Sequence, residues 1–207
     1  MAQSCRFFST FFCLTGGMTA KLGDKNKNRT KNMIKQNLVT IYTGDGQGKT
    51  TAALGMAVKA LNDGKSVYIG QFTKGEIDIA SHLAREYDRL QIESLGFPGF
   101  NNRQPNENDR AAALAGLDRC KTLLSSGMFD LMILDELCVA IHHGLINEEL
   151  MMDLLDQRPD NTALIITGAN APQWLIKMAD CVTEMHALKQ TTDDNEAILC
   201  DAIVGKN

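Results

Sequence analysis

Short apolar runs, each bounded by turn-forming residues, recur along the chain from residue 38 to residue 185. They are Leu38–Thr43, Ser66–Phe72, Leu90–Leu95, Phe129–Asp135, Ala163–Thr167 and Cys181–Met185. Several are nearly unbroken, Leu131-Met132-Ile133-Leu134 most clearly. A strand with one wet face would alternate apolar and polar residues, so unbroken runs point to parallel strands covered on both faces. Between the runs the period becomes helical. Lys49–Leu61 and Asp109–Ser125 carry Ala and Leu at helical spacing, the second stopping before Gly127. Asn147-Glu148-Glu149 supplies a capped start for a helix ending near Arg158-Pro159, and Pro172 suits the first turn of another reaching Ala179. Strands alternating with helices imply an α/β fold: a mostly parallel sheet, right-handed crossovers and helices on both faces.

In such a sheet, ligands gather where strands end at their carboxyl termini. Thr43-Gly44-Asp45-Gly46-Gln47-Gly48-Lys49-Thr50-Thr51 follows the first strand and opens a helix. Glycines there let backbone N–H groups converge on phosphate oxygens, and the helix N-terminus adds its positive end. Lys49 supplies a cation and Thr50 a hydroxyl for magnesium. Thr43 stands where the usual G-x-x-x-x-G-K-[ST] spacing has its first glycine, while Gly44 and Gly46 keep the loop permissive. The fourth run ends in Asp135-Glu136. A carboxylate so placed can hold magnesium directly or through water, and its neighbour can orient a reactant. Lys74 closes the second strand, and Phe97, Phe100 and Arg103 lie in the loop after the third. Aromatic residues in a polar loop cover something flat or pack beneath it. His142-His143 lacks a third ligand and reads as surface, or as lying behind the site residues, and not as metal-binding.

Composition narrows the classes. At 207 residues, 44% hydrophobic and 22% charged, the chain has the make-up of one globular domain. Residues 1–40 hold seven basic residues against one acid, a charge of +6; the rest carries 14 against 24, or −10. An acidic body is not the footprint of a nucleic-acid binder, and no run is long enough to span a membrane. Cysteines 5, 13, 120, 138, 181 and 200 form no C-x-x-C and no zinc spacing, which suits a reducing compartment; Cys138 and Cys181 read as small core residues. Residues 1–37 are expected to form a flexible N-terminal extension, with Met18 a second plausible start, ahead of one nucleotide-binding domain over 38–207.

The phosphate loop alone serves a kinase, an ATPase acting at the γ-phosphate, or an enzyme that uses the nucleoside end of ATP. A more specific pattern runs in order from about residue 38 to 189. It comprises Thr43-Gly44-x-Gly46-x-Gly48-Lys49-Thr50-Thr51-Ala52-Ala53-x-Gly55, Gln71-Phe72-x-Lys74-Gly75, Gly96-Phe97 and Leu134-Asp135-Glu136-Leu137. Arg158-Pro159, Ile166-Thr167-Gly168 and Ala179-Asp180-x-Val182-Thr183-Glu184-Met185 complete it. Together these resemble the P-loop type of ATP:corrinoid adenosyltransferase. The resemblance implies a single P-loop NTPase-like (RecA-like) domain that moves the 5′-deoxyadenosyl group of ATP to cobalt(I) of a corrinoid and releases triphosphate. It implies Lys49, Thr50 and Glu136 as catalytic residues. Nucleotide and corrinoid would be bound by residues 44–51, namely Gly44, Asp45, Gly46, Gln47, Gly48, Lys49, Thr50 and Thr51, with Lys74, Phe97, Phe100 and Arg103. Thr50, Asp135 and Glu136 would hold Mg2+ or Mn2+. It further implies a cytoplasmic homodimer, an N-terminal segment over the partner's corrinoid site, and a reduced flavoprotein as electron donor. Two departures stand out: the family's arginine after Thr-Gly is Ala169 here, and its Lys-His-Pro run near the C-terminus is replaced by Lys189-Gln190-Thr191-Thr192. A nucleotide- or corrinoid-binding protein without turnover is the alternative these departures raise.

Overall fold

A computed structural model describes residues 38–72, 79–96 and 103–189 and, for residues 79–82, the backbone alone. In chain order the elements are β1 (Val39–Thr43), α1 (Lys49–Asn62), β2 (Val67–Gln71), α2 (Ile79–Glu86), β3 (Leu90–Ser94) and α3 (Glu107–Ser126). They continue with β4 (Leu131–Asp135), α4 (Leu137–His142), α5 (Glu148–Asp156), β5 (Ala163–Thr167), α6 (Gln173–Met178) and β6 (Cys181–Glu184). Every expected strand is present; β5 keeps the expected bounds and the other five are shorter by one or two residues. Helices α2 and α4 are additions; at eight and six residues they are too short for a period of 3.6 to declare itself.

The strands form one parallel sheet in the order β3-β2-β4-β5-β1-β6. Strand β5 is inserted between β1, which feeds the phosphate loop, and β4, which ends at Asp135. Register pairs Gln71 with Asp135 and Tyr42 with Thr167, so Thr43, Gln71, Asp135 and Thr167 all finish at the same carboxyl edge.

Side-chain alternation divides the core between the two faces of this sheet. Val67, Ile69, Leu131, Ile133, Ala163 and Ile165 pack toward Ala53, Ala57, Ala60 and Leu61 of α1. On the other face Tyr68, Met132, Leu134, Leu164 and Ile166 meet Leu117 of α3, Leu137 of α4, Met151 of α5 and Leu175 of α6. Every residue of β2, β4 and β5 is buried, which explains their unbroken apolar runs. Each large aliphatic side chain so buried contributes about 1.5–3 kcal/mol. The alanines of α1 serve a different end, because small residues let the helix lie close to the sheet that positions its first turn.

The sheet's edges differ from its centre. All of β6 is exposed, so Cys181 is exposed while Cys138, on α4, is buried. The expectation that Cys181 is a core residue is therefore corrected: an edge strand lacks the second covering layer. At the other edge, Leu95 leaves β3 through a gap provided by two glycines. A Cβ on Gly70 would stand 2.7 Å from Leu95 Cδ1, and one on Gly116 would stand 2.8 Å from Leu95 Cβ. The Leu95 N–H donates to the Gln71 carbonyl at 2.8 Å and fixes that exit.

Candidate active site

The phosphate loop turns between Thr43 and Lys49 against the backbone that follows β6. Gly46 N–H donates to the Met185 carbonyl and Met185 N–H to the Thr43 carbonyl, both at 2.8 Å. This closeness is why side chains are excluded. A Cβ on Gly44, whose φ is +101°, would stand 2.2 Å from the Met185 carbonyl oxygen. Thr43 is buried, and its hydroxyl accepts the Ala171 N–H at 3.2 Å, tying the loop after β5 to the phosphate loop. A glycine at that position would offer no such tie.

Gly48 then caps α1 with φ +103°, with neither a side-chain cap nor an acidic residue in the helix's first turn. The positive end of the helix is thus left for an external anion. Lys49 Nζ donates to the carbonyls of Gly44 and Gly46 at 2.9 and 2.7 Å, which hold the ammonium over the loop's own concavity. Phosphate oxygens arriving there would replace neutral acceptors by charged ones, and charge-assisted bonds are roughly twice as strong.

Asp135 is 1% exposed at the end of β4. Its Oδ1 accepts the Thr50 hydroxyl at 2.8 Å and the Thr167 hydroxyl at 2.7 Å; its Oδ2 accepts from Gln71 Nε2 at 3.2 Å. Thr167 also accepts the Glu136 N–H at 2.9 Å. One hydroxyl therefore orients Asp135 and anchors the turn at Glu136, a non-glycine residue at φ 60°. A left-handed conformation of that kind costs about 1–2 kcal/mol, so the anchor has strain to offset. The donors facing this edge are all oxygen: a hydroxyl, a carboxylate, and Gln71 Oε1, which is buried without a partner. Among the described residues no group of three or more His, Cys, Asp or Glu could hold a metal ion. A single carboxylate beside a hydroxyl fits a hard divalent cation that takes its remaining ligands from phosphates and water.

The structure thus brings together residues 44–51, Asp135 and the Glu136 turn. Asp45 and Gln47 of the loop and Thr51 of α1 are exposed, and His186 lies 3.5 Å from Asp45 and 3.4 Å from Glu184. Arg103 is engaged elsewhere. Its Nη1 and Nη2 pair with Asp109 Oδ2 and Oδ1 at 2.5 and 2.8 Å, which raises the guanidinium pKa and lowers that of the carboxyl. Lys74, Phe97 and Phe100 lie outside the described residues, as do the extension 1–37 and the tail from 190. His142 and His143 are exposed, as expected. Burial holds the Cys138 thiol protonated, with a pKa pushed up to about 12.

Gln71 and Thr167 were not singled out as site residues from the sequence. Both lie inside quoted motifs, yet their role depends on β2 and β5 flanking β4, an order that the sequence leaves open.

The comparisons agree with this geometry. The family model ATP:corrinoid adenosyltransferase BtuR/CobO/CobP matches residues 35–198. The chain belongs to this family. It is 31% identical over 160 residues to the corrinoid adenosyltransferase CobA of Salmonella typhimurium, covering 77% of this chain and 81% of the relative. It is likewise 31% identical over 178 residues to a corrinoid adenosyltransferase of Sinorhizobium sp, covering 82% and 83%. A corrinoid adenosyltransferase of Pseudomonas aeruginosa is 30% identical over 158 residues, or 75% and 77%. Membership makes the protein a transferase whose substrates are ATP and a corrinoid.

Proposed function

We propose that the protein transfers the 5′-deoxyadenosyl group by direct attack of a corrinoid cobalt(I) on C5′ of ATP, with the edge between β1 and β4 holding the triphosphate. The cobalt electron pair forms the new Co–C bond, the C5′–O bond breaks, and its electrons leave on inorganic triphosphate. Because cobalt is the nucleophile, the protein needs no activated Ser, Cys or His. It must instead fix C5′ and stabilise a highly charged leaving group. One observation carries this assignment: α1 begins without a side-chain cap and without an acid, with Lys49 poised over the loop and Asp135 on β4, across the intervening strand β5.

Each residue then has a stated task. Backbone N–H groups of the loop and of the first turn of α1, other than that of Gly46, which donates to the Met185 carbonyl, bind the triphosphate together with the Lys49 ammonium. Thr50 and Asp135 would hold Mg2+ or Mn2+, with Glu136 at the same turn. A bound divalent cation supplies further neutralisation of leaving-group charge. Lys74, Phe97 and Phe100 are assigned to the corrinoid side, the two aromatic residues displacing the lower cobalt ligand. Arg103 joins them only by exchanging Asp109 for a substrate anion. The protein works as a cytoplasmic homodimer supplied with electrons by a reduced flavoprotein.

Anaerobic incubation with magnesium-ATP and chemically reduced cob(I)alamin tests the proposal. The expected product is a light-sensitive adenosylated corrinoid, followed by its absorbance change. ATP bound without that product would point to a binding protein, a role for which the loss of arginine at position 169 is the motive.

A further inference from the structure

Gln71 has an unusual combination of properties. It is 5% exposed at the end of β2, directly beside Asp135 in the register of β4. Its Nε2 donates to Asp135 Oδ2 at 3.2 Å, yet its Oε1 is buried without a hydrogen-bond partner. Turning the amide over would not relieve this, because it would set a carbonyl oxygen against a carboxylate. Asp135 therefore dictates which end of the amide is left open, and the open end is an acceptor. A buried acceptor without a donor costs about 1–3 kcal/mol. Backbone ties hold Gln71 in place on both sides: its carbonyl accepts the Leu95 N–H, and the Phe72 N–H donates to the Asp135 carbonyl at 3.0 Å.

We infer that Gln71 is a positioning residue for the divalent cation, its Oε1 accepting a hydrogen bond from a metal-bound water at the Thr50–Asp135 site. The inference rests on the metal-holding role proposed above for those two residues. A small hard cation such as Mg2+ keeps several waters when protein and phosphate ligands are few, and every such water has protons to give. Thr167 is already engaged, its hydroxyl donating to Asp135 Oδ1 while accepting the Glu136 N–H, and the Thr50 oxygen is the one assigned to the cation itself. Gln71 thus supplies a neutral, buried acceptor that no protein donor has claimed, and its amide N–H steadies Asp135 against rotation. Outer partners of this type set metal affinity by about 10–100-fold.

The test measures ATP binding to the full chain by calorimetry, with manganese and separately in EDTA. Corrinoid is omitted, so nothing turns over. The ratio of the two affinities reports the contribution of the metal. Gln71→Met, similar in shape but unable to make either hydrogen bond, is expected to lower that ratio about tenfold while leaving the affinity in EDTA unchanged. Gln71→Glu keeps an acceptor but loses the N–H, and its ratio is expected to match or exceed that of the parent. Asp135→Asn is the control for the underlying site and should collapse the ratio. If Asp135→Asn collapses it while Gln71→Met does not change it, the role of Gln71 is overturned and the metal site stands. A fall in Gln71→Glu equal to that expected of Gln71→Met also overturns it, since the bond to Asp135 would then be the whole effect. An unchanged ratio in Asp135→Asn overturns the metal site, and the inference with it.

Discussion

Two helices begin at the same edge of the sheet and are finished in opposite ways. Helix α3 closes its own N-terminus. The Asn106 side chain accepts from Asn108 N–H and Asp109 N–H, the Asp109 carboxylate returns to Asn106 N–H at 2.7 Å, and Glu107 and Asp109 place acids in the first turn. Arg103 then pairs with Asp109, so this end has its donors and its charge accounted for. Helix α1 has glycine for a cap, no acid in its first turn, and a lysine leaning on loop carbonyls. A helix start satisfied from within is structural, whereas one left open beside a cation waits for an anion. The contrast explains why Lys49 is assigned to triphosphate and why Arg103, although basic and near the same edge, is held back.

The largest effect should come from removing the cation at the open end. Lys49→Ala is expected to lower the rate of adenosyl transfer about 10²–10³-fold, the usual scale for losing one donor to developing negative charge. A rate within threefold of the parent, measured by corrinoid absorbance, would remove the distinction between the two helices. Next comes the hydroxyl that holds Asp135 and the Glu136 turn. Thr167→Val should cost roughly 10–100-fold and raise the magnesium concentration needed for half-maximal rate, while Thr167→Ser should restore both. Failure of serine to rescue would mean that packing at β5, not the hydroxyl, carries the effect.

Breaking the closed end should disturb stability and spare chemistry. Asp109→Ala is expected to cost about 1–2 kcal/mol, a fall in Tm of a few degrees at this chain length, with ATP affinity unchanged. The bond from Arg103 holds the Asp109 carboxyl below its usual range. Its contribution is therefore complete above the unfolded value of about 3.9 and is lost as pH falls through the lower folded value. Acid unfolding curves of the parent and Asp109→Asn should converge in that window; a gap widening toward low pH would contradict the pairing.

The smallest effect concerns thiols. Burial pushes Cys120 and Cys138 up to about 12, whereas Cys181 is exposed. Brief alkylation at pH 8, read by peptide mass spectrometry, should label Cys181 and leave those two unmodified until denaturation.

The sheet was legible in the chain because its central strands are buried on both faces, so hydrophobicity ran unbroken through Leu131–Leu134 and Ala163–Ile166. The phosphate loop was legible because its glycines and Lys49 are contiguous. What escaped was lateral. Strand order decides that Gln71 and Thr167 flank Asp135, and no local pattern reveals which strands become neighbours. Burial of Cys181 was misread for the same reason, since membership of an edge strand is a property of the assembled sheet. Arg103 shows another limit: a basic residue in a loop looks available until the carboxylate six positions later is found folded back on it.

The central claim is that the open end of α1 holds triphosphate as the leaving group. Phosphorus NMR of the products of a single-turnover reaction with magnesium-ATP and cob(I)alamin tests it most directly. One inorganic triphosphate, released intact for each adenosylated corrinoid, is the predicted result. Orthophosphate with ADP, and no adenosylated corrinoid, would contradict it and return the loop to ordinary γ-phosphate chemistry.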